Sequence, residues 1–216
     1  MRTVLVSLTL VLFATAAFAA DAAKELDGAA DAIRNMTASH QIPSSVLASA
    51  RCVAIIPNLP NAGIIVAGKH GGGVVSCRTT RASWSAPAFI TITGGSVGLQ
   101  AGIEHQDLVL LMNKQGEQEL SAGHWELGSE AVAAGASTPG TGGVESNDWK
   151  TPVLVYSLSS GAYASAAIAG SKISVDDQTM RDVYGPNATL QSVLNGARPP
   201  GSAQAFLTAL KEVAGK

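Results

Sequence analysis

Between Arg51 and Gly170 the chain runs repeatedly through a few apolar, often β-branched residues and then breaks on glycine, proline or asparagine. The clearest runs are Val53–Ile56, Gly63–Ala67, Gly73–Cys77, Ala88–Thr93, Leu108–Met112 and Val153–Tyr156. Each has the length of a strand, and no regular alternation with helical patterns separates them, which favours antiparallel meanders over βαβ units. Helical patterns lie outside this region. Lys24 to Ser39 places Leu26, Ala30, Ile33 and Met36 at helical spacing. Pro43-Ser44-Ser45 reads as a cap opening a short helix through Ala50. Ser174 with Asp177 resembles a capping box before Gln178–Val183, and Ser202 stands where it can cap Ala203–Val213, with Gly215 beyond the end. Gly135–Gly143 is rich in Gly, Ser, Thr and Pro and reads as a loop. The expected fold is a single α+β domain, mainly antiparallel β-sheet, sandwich or barrel-like, with N-terminal and C-terminal helices.

Composition narrows the function classes. With 216 residues, 46% of them hydrophobic and only 14% charged, the chain has material for a real core and is unlike a disordered chain or a solvated coiled coil. A net charge of −2 argues against an electrostatic nucleic-acid binder.

The first residues read as a targeting segment. Arg2 supplies the positive end, Val4 to Phe18 the apolar run, and Ala17-Phe18-Ala19 the small-x-small pattern of a signal-peptidase site. The apolar run is short for a bilayer span. The expected organisation is a signal peptide over 1–19, an N-terminal helical segment over 20–41 and the main domain over 42–216, with the mature chain starting near Ala20 in the periplasm or outside the cell. Retention of the segment as an anchor is the alternative. Export makes Cys52 and Cys77 a candidate disulfide, since oxidising compartments preserve such bonds; two buried thiols behaving as small hydrophobes are the alternative.

Signals for catalysis or metal binding are weak. Gly94-Gly95-Ser96-Val97-Gly98 matches the G-x-S-x-G elbow of α/β-hydrolases. Only His105 and His124 follow Ser96, too close for the strands and helices that separate elbow and histidine in that fold. A glycine-rich turn explains the motif as well. His40, His70, His105 and His124 are scattered, no H-E-x-x-H occurs, and two cysteines cannot form a four-cysteine zinc site. Gly68-Lys69-His70-Gly71-Gly72-Gly73 lacks the order of a phosphate-binding P-loop and precedes a strand rather than a helix. No metal, no cofactor and no enzymatic activity are expected.

The ordered series Ile42-Pro43, Cys52-Val-Ala-Ile-Ile-Pro57, Ala62-Gly63-Ile-Ile-Val-Ala-Gly68, Gly71-x-Gly73-Val-Val75, Trp84-Ser85-x-Pro87-Ala-Phe89, Gly94-Gly95-Ser96-x-Gly98-x-Gln100-x-Gly102 and Tyr156-Ser157-x-Ser159-x-Gly161 resembles the successive signatures of the SYLF domain. The resemblance runs from about Ile42 to Leu194. It implies a lipid-binding module: eukaryotic members are associated with phosphoinositide membranes and some fungal members with actin filaments. The chain departs from relatives that use a basic N-terminal amphipathic helix, because Lys24 and Arg34 are outnumbered here by Glu25, Asp27 and Asp31. That helix is expected to pack its apolar stripe on the domain.

Two readings follow. In the first, the protein binds lipid or a membrane surface through basic residues near glycine-rich turns. From Arg51 to Ile103 there are four basic residues, Arg51, Lys69, Arg78 and Arg81, and no acid. Lys69, Arg78 and Arg81 are the expected head-group contacts, with Trp84 at the membrane interface. Ordinary solvated charges and a core Trp84 are the bland account of the same residues. In the second reading, the chain is a structural or protein-interaction domain of the cell envelope, as the actin-type interactions of relatives suggest. Neither the protein partner nor the oligomeric state is legible.

Overall fold

The computed structural model describes residues 3–60, 70–79, 83–94, 105–127, 132–134, 149–157 and 170–214, with side chains of the first helix from Ala20 onward. The expected run Gly63–Ala67, the loop Gly135–Gly143 and the motif around Ser96 fall outside them.

Among the described residues, eight strands form one sheet. They are β1 (Cys52–Pro60), β2 (His70–Cys77), β3 (Ala88–Gly94), β4 (His105–Met112), β5 (His124–Glu126), β6 (Val132–Ala134), β7 (Val153–Ser157) and β8 (Ser171–Val175), in the order β5-β8-β3-β2-β1-β4-β7-β6. Every pairing is antiparallel except β6 on β7. Cys52–Ile56 of β1, Leu108–Met112 of β4 and Val153–Tyr156 of β7 are buried without alternation. Strands covered on both faces lose the apolar–polar rhythm, which is why these segments are continuous hydrophobic runs.

The helices are α1 (Thr3–Ala38), α2 (Ser44–Ser49), α3 (Lys114–Leu120), α4 (Asp177–Tyr184), α5 (Leu190–Gly196) and α6 (Gln204–Ala214). As expected, α1 buries Leu26, Ala30, Ile33 and Met36, and it exposes Lys24, Asp27 and Asp31. It packs on β1, β2 and β4 and lies along α6, where Arg34 Nε stands 3.5 Å from Glu212 Oε2. The residues of 20–41 therefore share one core with the remainder of the domain.

Three helix starts differ from the sequence expectation. Pro43 caps α2 with no side-chain bond, so the Ser44 and Ser45 hydroxyls do not cap it. Asp176, not Ser174, caps α4: its carboxylate accepts from the Thr179 N–H at 3.0 Å, while Ser174 stays in β8. Ser202 lies inside a 3-10 turn, Gly201–Ala203, that leads into α6. At the first and third starts a proline, Pro43 or Pro200, holds the cap position with no side-chain bond, and only Asp176 caps through its side chain.

Glycine is required where β2 meets β1. A Cβ on Gly73 would stand 2.6 Å from the Ile55 carbonyl oxygen and 2.9 Å from Ile56 Cγ1. The first is backbone and cannot yield, so only glycine lets the strands approach here.

Candidate functional site

β1 and β2 carry the sequence-expected residues to one end of the sheet. Cys52 and Cys77 face each other in the register and form the expected disulfide, with both residues buried. Strand pairing continues one residue further, where the Arg78 N–H donates to the Arg51 carbonyl at 2.7 Å. Arg51 and Arg78 thus leave the sheet side by side and are captured by different helices.

Arg51 forms a fork with Glu117 of α3: Nε donates to Oε2 at 3.0 Å and Nη2 to Oε1 at 3.2 Å. Arg78 turns inward. Its Nε donates to the Ala50 carbonyl at 3.2 Å, and its Nη2 to the carbonyls of Ala48 and Ala214, each at 3.1 Å. These carbonyls belong to the C-terminal ends of α2 and α6, where a helix leaves acceptors unpaired and a cation is favourable. Burial, and secondarily the charge of Arg51, lower the guanidinium's pKa; arginine stays charged even so. Arg78 is therefore a latch between two helix ends.

Trp84 bridges to Arg78 across a narrow antiparallel pair, and the Arg78 guanidinium carbon sits 4.6 Å from the centroid of its ring. Beside this pair the Thr79 N–H donates to the Ser83 carbonyl at 2.7 Å. Trp84 is half-buried, packed against the core on one side and open on the other. The open side is one wall of a groove of about 410 Å³ lined by Arg78, Ser83, Trp84, Gln204, Leu207, Thr208, Lys211 and Ala214. No carboxylate is among these residues, and Lys211 is exposed.

The structure thus brings together two of the four residues expected to meet a ligand, Arg78 and Trp84. Lys69 and Arg81 lie outside the described residues. Sequence reasoning missed Leu207, Thr208 and Lys211, the opposite wall. Their signal is faint but present. In α6 the buried positions are Phe206, Ala209, Leu210 and Ala214. Leu207 and Lys211, four residues apart, occupy a flank of that stripe. What the pattern lacks is any hint that this flank would meet Trp84.

Comparison with known proteins bears on the whole domain. The family model "Ysc84: Las17-binding protein actin regulator" matches residues 93–213. LAS seventeen-binding protein 3 of Saccharomyces cerevisiae is 35% identical over 179 residues, covering 76% of this chain and 37% of the relative. Protein YSC84 of the same yeast is 33% identical over 190 residues, covering 81% and 38%. SH3 domain-containing YSC84-like protein 1 of Homo sapiens is 31% identical over 164 residues, covering 73% and 47%. The chain spans less than half the length of these relatives. No solved structure matches it significantly.

Proposed function

The chain belongs to the Ysc84 (SYLF) family, and from that premise we propose that it is a non-enzymatic binding module that takes anionic lipid head groups in the groove between Trp84 and α6. The observation that carries this reading is the make-up of the groove. One wall offers the indole, the other Leu207 and the Lys211 ammonium, and among the described residues no acid lines it. An amphipathic, cationic cleft with a half-exposed tryptophan suits a molecule that is apolar at one end and anionic at the other. Arg78 contributes positive field while staying latched to α2 and α6, so its removal would disturb the fold and is a poor test of binding. Lys211→Glu with Trp84→Ala is the appropriate pair. We expect co-sedimentation with phosphatidylglycerol-containing vesicles to fall at least tenfold in this variant, and wild-type binding to weaken as salt rises. Undiminished binding by the folded variant would refute the groove as the lipid site.

A protein-interaction reading draws on the family's description as a Las17-binding actin regulator and on the name of its yeast relative, LAS seventeen-binding protein 3. In that reading the same cationic groove receives an acidic protein segment. Wild-type protein that ignores vesicles of every charge would favour it.

The proposal also includes export, with cleavage after Ala19. A helix starting at Ala20 keeps Ala22, Leu26, Ala29, Ile33 and Met36 in the core, and the Cys52–Cys77 bond suits an oxidising compartment. Intact-mass measurement of the protein from its native compartment is expected to find a chain beginning at Ala20. A chain there that retains residues 1–19 would contradict cleavage.

A further inference from the structure

We propose that, once the Cys52–Cys77 disulfide is reduced, both thiolates and the Glu117 carboxylate bind one divalent cation of the zinc class. Among the described residues, Cys52 Sγ, Cys77 Sγ and a Glu117 carboxylate oxygen all lie within 4.8 Å of one another. A tetrahedral zinc ion with sulfur at ~2.3 Å and carboxylate oxygen at ~2.1 Å holds its donors roughly 3.5 to 3.8 Å apart. Small side-chain rotations therefore bring the three onto a single ion. The disulfide itself excludes the metal, because the thiolate is the ligand.

Three further features fit a metal centre. The carboxylate is aimed. Glu117 stands in the first turn of α3, whose N-cap Asn113 accepts from the N–H groups of Gln115 and Gly116 and donates to the carbonyls of Trp149 and Thr151. The Arg51 fork then fixes the plane of the carboxylate, the role outer partners play for metal-bound carboxylates. Cations offset the charge: a divalent ion with two thiolates and one carboxylate sums to −1, and Arg51 and Arg78 both line the cavity around it. Access is available as well. A cavity of about 210 Å³ reaches Arg51, Cys77, Glu117 and Ser121 and has room for a water as fourth ligand.

The chemistry is a thiol–disulfide exchange followed by metal binding. A dithiol reductant attacks one cysteine sulfur and the S–S bond breaks. Two electrons pass to the pair, and the reductant leaves as its own disulfide. The two resulting thiols each release a proton to solvent as the cation binds.

The test uses the full chain, reduced, freed of reductant and kept anaerobic, with Co²⁺ as the probe. We expect one Co²⁺ per chain, a sulfur-to-cobalt charge-transfer band that Zn²⁺ abolishes, and no band with oxidised protein. Glu117→Gln is expected to weaken Co²⁺ binding about tenfold or more. Absence of the band in reduced, folded protein overturns the proposal. So does an unchanged affinity in Glu117→Gln, which would leave only a simple dithiol. Should reduction alone unfold the chain, Zn²⁺ is expected to restore the native circular dichroism, and failure to do so counts equally against the site.

Discussion

Raising the pH from about 4.5 to about 8 is expected to destabilise the protein by several kcal/mol, and Glu25→Gln to remove most of that loss. Glu25 lies on α1 where the helix crosses β2, and its carboxyl occupies the space that a Cβ on Gly72 would fill. Burial is the main reason its pKa is raised from 4.5 to about 8; the charges of Asp176 and Asp21 add to it. The sign follows from proton binding. Below pH 4.5 the carboxyl is protonated in both folded and unfolded chains, and its full contribution is present. Between 4.5 and 8 the unfolded chain loses the proton while the folded chain keeps it, so stability falls by about 1.4 kcal/mol per pH unit. Above 8 both forms are ionised and the curve levels. Glutamine keeps the shape and cannot ionise. Urea unfolding at pH 5, 6.5 and 8 on both proteins measures the difference. Equal declines in wild type and Glu25→Gln would show that the pH dependence originates elsewhere.

Glu25 also shows where sequence reading reaches its limit. Counted simply as an acid it groups with Asp27 and Asp31, yet at about 3.6 residues per turn it falls on the side of α1 that buries Ala29, Ala32 and Met36. The structure places it over a strand of glycines, a partner that no local pattern names. Long, regular segments were legible: the stripe of α1 and the apolar cores of β1 to β4 and β7 are strong because burial repeats along them. The segments that escaped are short or polar. Lys114–Leu120 carries a glycine in its middle and is held by the Asn113 cap. Leu190–Gly196 depends on a reciprocal cap in which the Thr189 hydroxyl accepts from the Ser192 N–H and the Ser192 hydroxyl accepts from the Thr189 N–H. His124–Glu126 and Val132–Ala134 are three-residue strands that exist because β8 and β7 offer them edges. The same distinction governs the groove. Arg78 and Trp84 were visible as a cation and an aromatic near a turn. That Arg78 faces inward, and that Lys211 closes the other side, depends on how α2 and α6 end, which is a tertiary fact.

Reduction of the Cys52–Cys77 bond, in the presence of a chelator so that no metal can take its place, is expected to cost about 3 to 3.5 kcal/mol of stability. The link spans a sequence separation of 25, and the estimate is the loop-closure entropy it removes from the unfolded chain. Little of the effect should come from the folded side. The strand register and the 2.7 Å bond from Arg78 N–H to the Arg51 carbonyl hold this end of the sheet in place without the sulfur bond. Two consequences distinguish this account from simple loosening of the native fold. Tm should drop by roughly 6 to 14 °C for a domain of this size. The denaturant m-value should rise on reduction, because an unlinked denatured chain exposes more surface than a linked one. Cys52→Ala with Cys77→Ala should lose somewhat more than reduction alone, since both sulfur positions are buried and the alanines leave space behind. Chemical denaturation of the oxidised, reduced and doubly substituted chains decides the matter. A loss below about 1 kcal/mol would contradict the prediction and would mean that the denatured chain already keeps β1 and β2 together.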